Sequence, residues 1–213
     1  MRRASDEQNV GVAGLRKAGY HHGNLKEALV SAARVLILEK GPHGFSLIEA
    51  ARLANVSPAA PYRHFKDKDA LLAEVARRGY EKFSNQLEAA WNDVAPDRLT
   101  ALKRLGHAYL EFALTQKAYY AAMFQAGVSN LDNPSLKDSV DCAHGTLSTI
   151  ISEIKAKDSA GRSIPAEAIL FHIWSLAHGA ATLRQAGGIP ALSQHQMLDL
   201  GVELYLKGLK MLD

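Results

Sequence analysis

Cysteine is almost absent from this chain: Cys142 stands alone in 213 residues. No internal disulfide can form, so packing must hold the fold together. Long apolar runs are missing as well. A membrane-spanning helix needs roughly 18 or more uncharged apolar residues. The nearest stretch, residues 168–183, lies between Glu167 and Arg184 and contains two histidines, Ser175 and Gly179. Arg2 and Arg3 have no apolar stretch behind them, so no secretory leader is expected. These absences point to the cytoplasm and away from a membrane.

Catalytic motifs are also lacking. There is no Gly-x-Ser-x-Gly, no phosphate-cradling glycine loop and no paired carboxylates on an obvious cleft. An enzyme is the least expected reading. The nine histidines do not form a metal pattern. His172 and His178 are six apart and Cys142 and His144 two apart, spacings that diverge on a helix. None resembles a closed zinc site. Neither metal nor other cofactor is expected.

Charge is present but unevenly placed. The net charge is +3. Residues 15–85 carry +5, residues 86–213 carry −2 and residues 1–14 are neutral. A basic N-terminal third on a slightly acidic body suits a module that faces a polyanion.

The pattern along the chain is all-α, with about nine helices and no convincing period-2 strand. Residues 1–20 show no periodicity and are read as a flexible arm. His21 and His22 are expected beside DNA or solvent. A first helix starts at Asn24, with Glu27 in a capping-box position, and stops at Gly41-Pro42. A second starts at Ser46, paired with Glu49, and ends near Ala54. Asn55 then turns the chain, since it tolerates the left-handed conformation. Ser57-Pro58 is read as the hydroxyl cap and first position of a short third helix ending near Phe65. Asp67 caps a long fourth helix. Further helices are expected at about 97–115, 117–127, 134–157, 165–186 and 194–212.

The second helix, turn and short third helix have helix-turn-helix spacing, which places the third helix in a major groove. A three-helix packing unit without DNA would show the same spacing. The third helix is too short to stand alone. Tyr62 and Phe65 are expected to anchor it, leaving Pro58, Ala59, Ala60, Arg63 and His64 on its other face. Asn and Gln, the usual adenine readers, are missing there, and Arg63 suits guanine.

Tyr62-Arg63-His64-Phe65-Lys66-Asp67-Lys68-Asp69-Ala70-Leu71-Leu72 and Phe45-Ser46-Leu47-Ile48-Glu49-Ala50-Ala51 resemble the helix-turn-helix signature of the tetracycline-repressor (TetR/AcrR) family over residues 20–82. The resemblance implies an N-terminal three-helix DNA-binding domain, residues 21–82, joined to a larger ligand-binding and dimerisation body, residues 83–213. It implies phosphate contacts from Ser46, Tyr62, His64 and Lys68, and groove-facing positions at Pro58, Ala59 and Ala60. Ser57 and Lys66 complete the expected DNA-binding set. Pro61 departs from the usual Leu or Ile. A subset that shares this form also carries Trp–His–Gly in its body, matched here by Trp174-Ser175-Leu176-Ala177-His178-Gly179.

Trp174 and His178 share a helix face. They are either a core tryptophan beside a hydrogen-bonded histidine or the wall of an effector pocket. Tyr119, Tyr120, Met123 and Phe124 form a cluster that is either plain core or the opposite wall. The last helix carries two stripes spaced four, three, four, three. One is Met197, Gly201, Leu204, Gly208 and Met211; the other is Leu198, Val202, Tyr205, Leu209 and Leu212. Two stripes suit a helix that packs on its own body and on a partner. The glycine stripe, with Ser175, Gly179 and Thr182, is the expected dimer seam, although both glycines could instead lie under a neighbour in the same chain. The expected partners are palindromic double-stranded DNA, a second copy of the chain and a small, largely apolar ligand. DNA binding by occupancy alone, without an effector, is the alternative.

Overall fold

The computed structural model describes residues 25–92, 97–131, 133–152, 156–157, 161–185, 187 and 193–209. The expected arm, His21, His22, Asn24, Met211 and Leu212 lie outside the described residues. Among those described there are eight α-helices and one 3-10 turn. They are α1 (Leu25–Lys40), α2 (Leu47–Leu53), the turn Ala60–Arg63, α3 (Lys68–Asn92), α4 (Arg98–Thr115), α5 (Lys117–Phe124), α6 (Pro134–Ser152), α7 (Ala166–Gln185) and α8 (Gln194–Gly208). The fold is all-α.

Local chemistry sets the helix ends. Ser46 and Glu49 form a reciprocal capping box at the head of α2, and Ser193 and Gln196 form another at α8. Asp67, Asp97 and Asn133 each accept a backbone N–H three residues on, at 2.8, 2.8 and 3.1 Å. Gly41 closes α1 at φ +74° and Asn55 turns the chain at φ 58°, both in the left-handed region.

Two expectations need correction. Antiparallel pairing does occur: β1 (Ala156–Lys157) and β2 (Ser163–Ile164) form a two-residue ladder where no strand was expected. Accordingly the helix expected to reach about 157 stops short of Ala156; its described span, α6, is Pro134–Ser152. The third helix is a 3-10 turn, not a capped α-helix. Ala60 N–H donates to the Ser57 carbonyl at 3.0 Å and His64 N–H to the Pro61 carbonyl at 2.9 Å, both three-residue spacings. Pro61 has no N–H, so the bond that would begin an α-helix from Pro58 cannot form. The N-cap falls on Ala59, with no side-chain cap from Ser57.

The chain divides into two compact units. Of the described residues, the first comprises those from Leu25 to Tyr80 together with Thr115–Val140, so α5 belongs with the reader helices. This division differs from the contiguous 21–82 and 83–213 expected. Leu29, Ala32, Ala33, Ala50, Ala51, Leu71, Leu72, Val75 and Ala76 are buried here, along with Ala118, Tyr119, Tyr120 and Ala122 of α5. The second unit comprises the described residues of Glu81–Leu114 and those from Asp141 to Leu209. Phe83, Leu87, Leu102, Leu110, Phe112, Ile169, Leu198, Val202 and Leu206 are buried in it. Helix α3 is continuous across the boundary.

Candidate nucleic-acid interface and effector cavity

The exposed edge of the first unit collects most of the expected DNA-binding residues. Ser46, Ser57, Pro58, Ala59, Tyr62, Arg63, His64 and Lys66 are exposed, while Ala60 and Lys68 are half-buried. Their support lies beneath: Pro61 is buried and Phe65 is 4% exposed. Tyr62 is 57% exposed and is therefore not the anchor it was expected to be. With Pro61 and Phe65 turned inward in the tight turn, Tyr62 is left facing outward. That position suits a phosphate contact.

Two of these residues already have partners in the chain. The Ser46 hydroxyl donates to Glu49 Oε2 at 3.0 Å and accepts Glu49 N–H at 3.2 Å. Glu49 is itself held by Lys40 at 2.6 Å. Hydrogen bonds from Lys40 first, then from the Ser46 backbone and hydroxyl, bring its carboxyl down to about 2. A phosphate meeting Ser46 competes with that carboxylate. Lys68 Nζ donates to the His43 carbonyl at 3.4 Å and lies 5.7 Å from the Phe45 ring centroid. His43 Nε2 lies 3.0 Å from the Gln125 carbonyl, which ties the α1–α2 turn to the end of α5.

A network that the spacing did not reveal stiffens this unit. Glu74 is bonded by Lys26 at 3.1 Å, by Arg77 at 2.9 Å and by Arg78 at 2.9 Å; Arg78 also pairs with Glu27. Burial pushes the Glu74 carboxyl up, but hydrogen bonds from Arg77, Arg78 and Lys26 outweigh it and bring it to about 2. Glu74 and Arg78 are four apart on one helix, while Glu27 comes to Arg78 from 51 residues away.

The second unit contains a cavity of about 30 Å³, walled by α3, α4, α6 and α7. Phe83, Leu87, Leu102, Leu105, Gly106, Tyr109, Leu147, Leu170, Ile173, Trp174 and Ala177 line it. Trp174 is thus on the wall, with its ring edge-on to His144 at 5.1 Å. His178 does not line the cavity. Its Nδ1 lies 2.6 Å from the hydroxyl of Tyr109, which does line it. Burial pushes the His178 imidazole below its ordinary range, toward the neutral form. Tyr109 is the functional candidate that helical spacing missed, because it reaches His178 from 69 residues away.

Of the two readings of the Tyr119–Phe124 cluster, the packing matches plain core. Tyr119, Tyr120, Met123 and Phe124 belong to the first unit. The Arg34 guanidinium sits 4.5 Å over the Tyr119 ring, and Phe124 packs edge-on to Tyr80 at 6.1 Å. A Cβ on Gly79 would come within 2.7 Å of the Met123 sulfur. These four residues fasten α5 to α1 and α3.

On α8 the two stripes separate. Leu198 and Val202 are buried, joined by Leu206 rather than Tyr205. Met197, Leu200 and Leu204 are 41%, 47% and 62% exposed, and on α7 Phe171 and Leu183 are 69% and 54% exposed. Ser175, Thr182 and Gly208 are exposed and Gly179 is half-buried. A Cβ on Gly179 or Gly208 would meet nothing, whereas one on Gly201 would come within 3.2 Å of Leu176 of the same chain. For Gly201 the neighbour is intramolecular. A groove of about 240 Å³, lined by Ser175, Leu176, Gly179, Leu183, Arg184 and Met197 among others, runs between α7 and α8.

An all-α chain with a capped helix-turn-helix, an exposed Tyr-Arg-His edge and a separate helical body is a DNA-binding regulator by architecture. The model of the tetR family of bacterial regulatory proteins matches residues 29–75, and that of the tetracyclin repressor-like C-terminal domain matches residues 102–205. The chain belongs to the TetR family of transcriptional regulators. An uncharacterized HTH-type transcriptional regulator, YobS of Bacillus subtilis (strain 168), is 32% identical over 100 residues, 47% of this chain and 51% of that protein. The match therefore spans about half the relative's length. A protein of unknown function from Rhodococcus sp. RHA1 is similar in structure, with TM-score 0.72 and 27% identity over 91% of this chain and 99% of that one. FadR from Bacillus subtilis, in complex with stearoyl-CoA, shares the fold, with TM-score 0.66 and 16% identity over 85% and 98%.

Proposed function

We propose that the chain is a homodimeric, ligand-responsive repressor that holds a palindromic operator and releases it when a small, largely apolar molecule enters the body. The observation that carries this reading is the continuity of α3. Lys68 stands at its reader end, and Phe83 and Leu87 of the same helix line the cavity. A ligand that displaces α3 moves the reader with it. Half-sites lie roughly 34–36 Å apart for one DNA turn, so a small pivot spoils the fit of both. The exposed α7–α8 face, with Phe171, Leu183, Met197 and Leu204, supports pairing with a second copy as a four-helix bundle. Such a protein works in the cytoplasm and needs no catalytic group.

DNA fragments selected in vitro by the full-length protein test this reading. The expected product is a palindrome, protected across both half-sites by a dimer. Selection of single half-sites by a monomer would overturn it. Retention of the operator whatever ligand is added would favour action by occupancy alone.

A further inference from the structure

The cavity's wall narrows the chemistry of its occupant, an argument that rests on the ligand-responsive reading. We infer that the effector is an uncharged, compact hydrocarbon or aromatic molecule, about one ring in size, held by carbon contacts without an ionic anchor. Every lining residue is aliphatic or aromatic, apart from Gly106. Among the described residues no Lys, Arg, Asp or Glu lines the cavity. Two lining side chains carry a polar atom, Tyr109 and Trp174. The Tyr109 hydroxyl is directed to His178, at 2.6 Å. His178 is itself biased to its neutral form by burial, so it offers a carboxylate no fixed positive charge. A carboxylate or phosphate taken into this wall loses its hydration with no cation to replace it.

Size favours a small occupant over a long one. A cavity of roughly 150 Å³ lined by apolar side chains takes benzene. This one is about 30 Å³, so even a single ring must displace its lining. Trp174 and Leu170, both half-buried on α7, are the least enclosed of the lining side chains. An 18-carbon acyl chain requires several times that displacement, and its CoA phosphates find no cation on the wall. The occupant therefore differs in class from the stearoyl-CoA bound by the structurally similar FadR.

The experiment uses the full chain carrying Trp91→Phe, so that Trp174 is the sole tryptophan. Toluene, benzoate and stearoyl-CoA are titrated at neutral pH, read by Trp174 fluorescence and by thermal midpoint. Toluene is expected to shift both, and benzoate to bind at least about tenfold more weakly because its charge stays unpaired. Ala177→Leu fills the cavity and should abolish the toluene response. Leu147→Ala enlarges it and should extend the response to naphthalene, a result that a folding defect cannot mimic. Benzoate or stearoyl-CoA binding as tightly as toluene would overturn the inference, as would a toluene response that neither variant alters. Release of selected DNA fragments separates the two claims. Release by stearoyl-CoA alone sinks the ligand class and upholds the responsive reading; toluene bound in the cavity without release upholds the site and sinks that reading.

Discussion

In the reader unit Glu74 gathers Lys26, Arg77 and Arg78, with Glu27 on the other side of Arg78. In the body, Phe83 meets Tyr109 at 5.3 Å and Phe112 at 5.2 Å, ring against ring. The first unit ties its helices with directed, charge-assisted bonds, which fix angles between α1 and α3. The second also pairs charged groups, Lys103 with Glu203 and His107 with Asp199 between α4 and α8, but around its cavity it relies on carbon packing, and α7 and α8 carry bare apolar side chains. Directed bonds suit a part that must present the same edge each time. Under the proposed function, undirected contacts suit a part that yields to a ligand and meets a partner.

That contrast can be broken most forcefully at the α7–α8 face. Met197→Glu with Leu204→Glu places two charges where apolar surface is expected to be covered by a second copy. Dimer dissociation should rise by about a hundredfold or more, as burial of unpaired charge costs several kcal/mol. Sedimentation velocity checks this, with DNA affinity expected to fall in parallel. A double variant that stays fully dimeric would move the seam to another surface.

The charge network offers the next largest effect. Arg78→Ala removes the cation shared by Glu27 and Glu74 and should cost about 2 kcal/mol, between the values for exposed and buried pairs. Urea unfolding reads it. The sign with pH follows from Glu74, whose carboxyl is lowered from 4.5 to about 2 in the fold. Its stabilisation is fully present above about 4.5 and is lost as pH falls from there toward 2. The wild-type advantage over Arg78→Ala should shrink across that window, and a difference constant from pH 7 to 3 would contradict the assignment.

At the reading edge the effects are smaller and differ in kind. Arg63→Ala should cost roughly 1–3 kcal/mol and relax preference at one or two base pairs. Lys68→Ala should weaken all sequences alike and lower the salt slope by about one. Binding to base-scanned operators distinguishes them, and an unchanged specificity profile for Arg63→Ala removes it from base reading. Smallest is Ser46→Ala, about 1 kcal/mol of stability through the lost cap on α2. Thermal unfolding would show that loss.

Much of this molecule is local chemistry written in order. Ser46 with Glu49, Asp67, Gly41 and Asn55 marked the helix ends because a cap or a left-handed turn involves residues within four positions of each other. The period of α8 announced two faces for the same reason. The Tyr62–Leu72 stretch pointed to the family without any contact being known. Tertiary structure decided what depends on distant residues. It turned Tyr62 outward once Pro61 and Phe65 filled the inner side of the tight turn. It settled the Tyr119–Phe124 cluster, readable as core or as pocket wall, into the packing of α5 on α1 and α3. It brought Tyr109 to His178 and Glu27 to Arg78, and it set Gly201 against Leu176 while leaving Gly208 open. Helix periodicity gives the direction of a side chain around its own axis. What that side chain meets is fixed only when a helix from elsewhere in the chain packs against it.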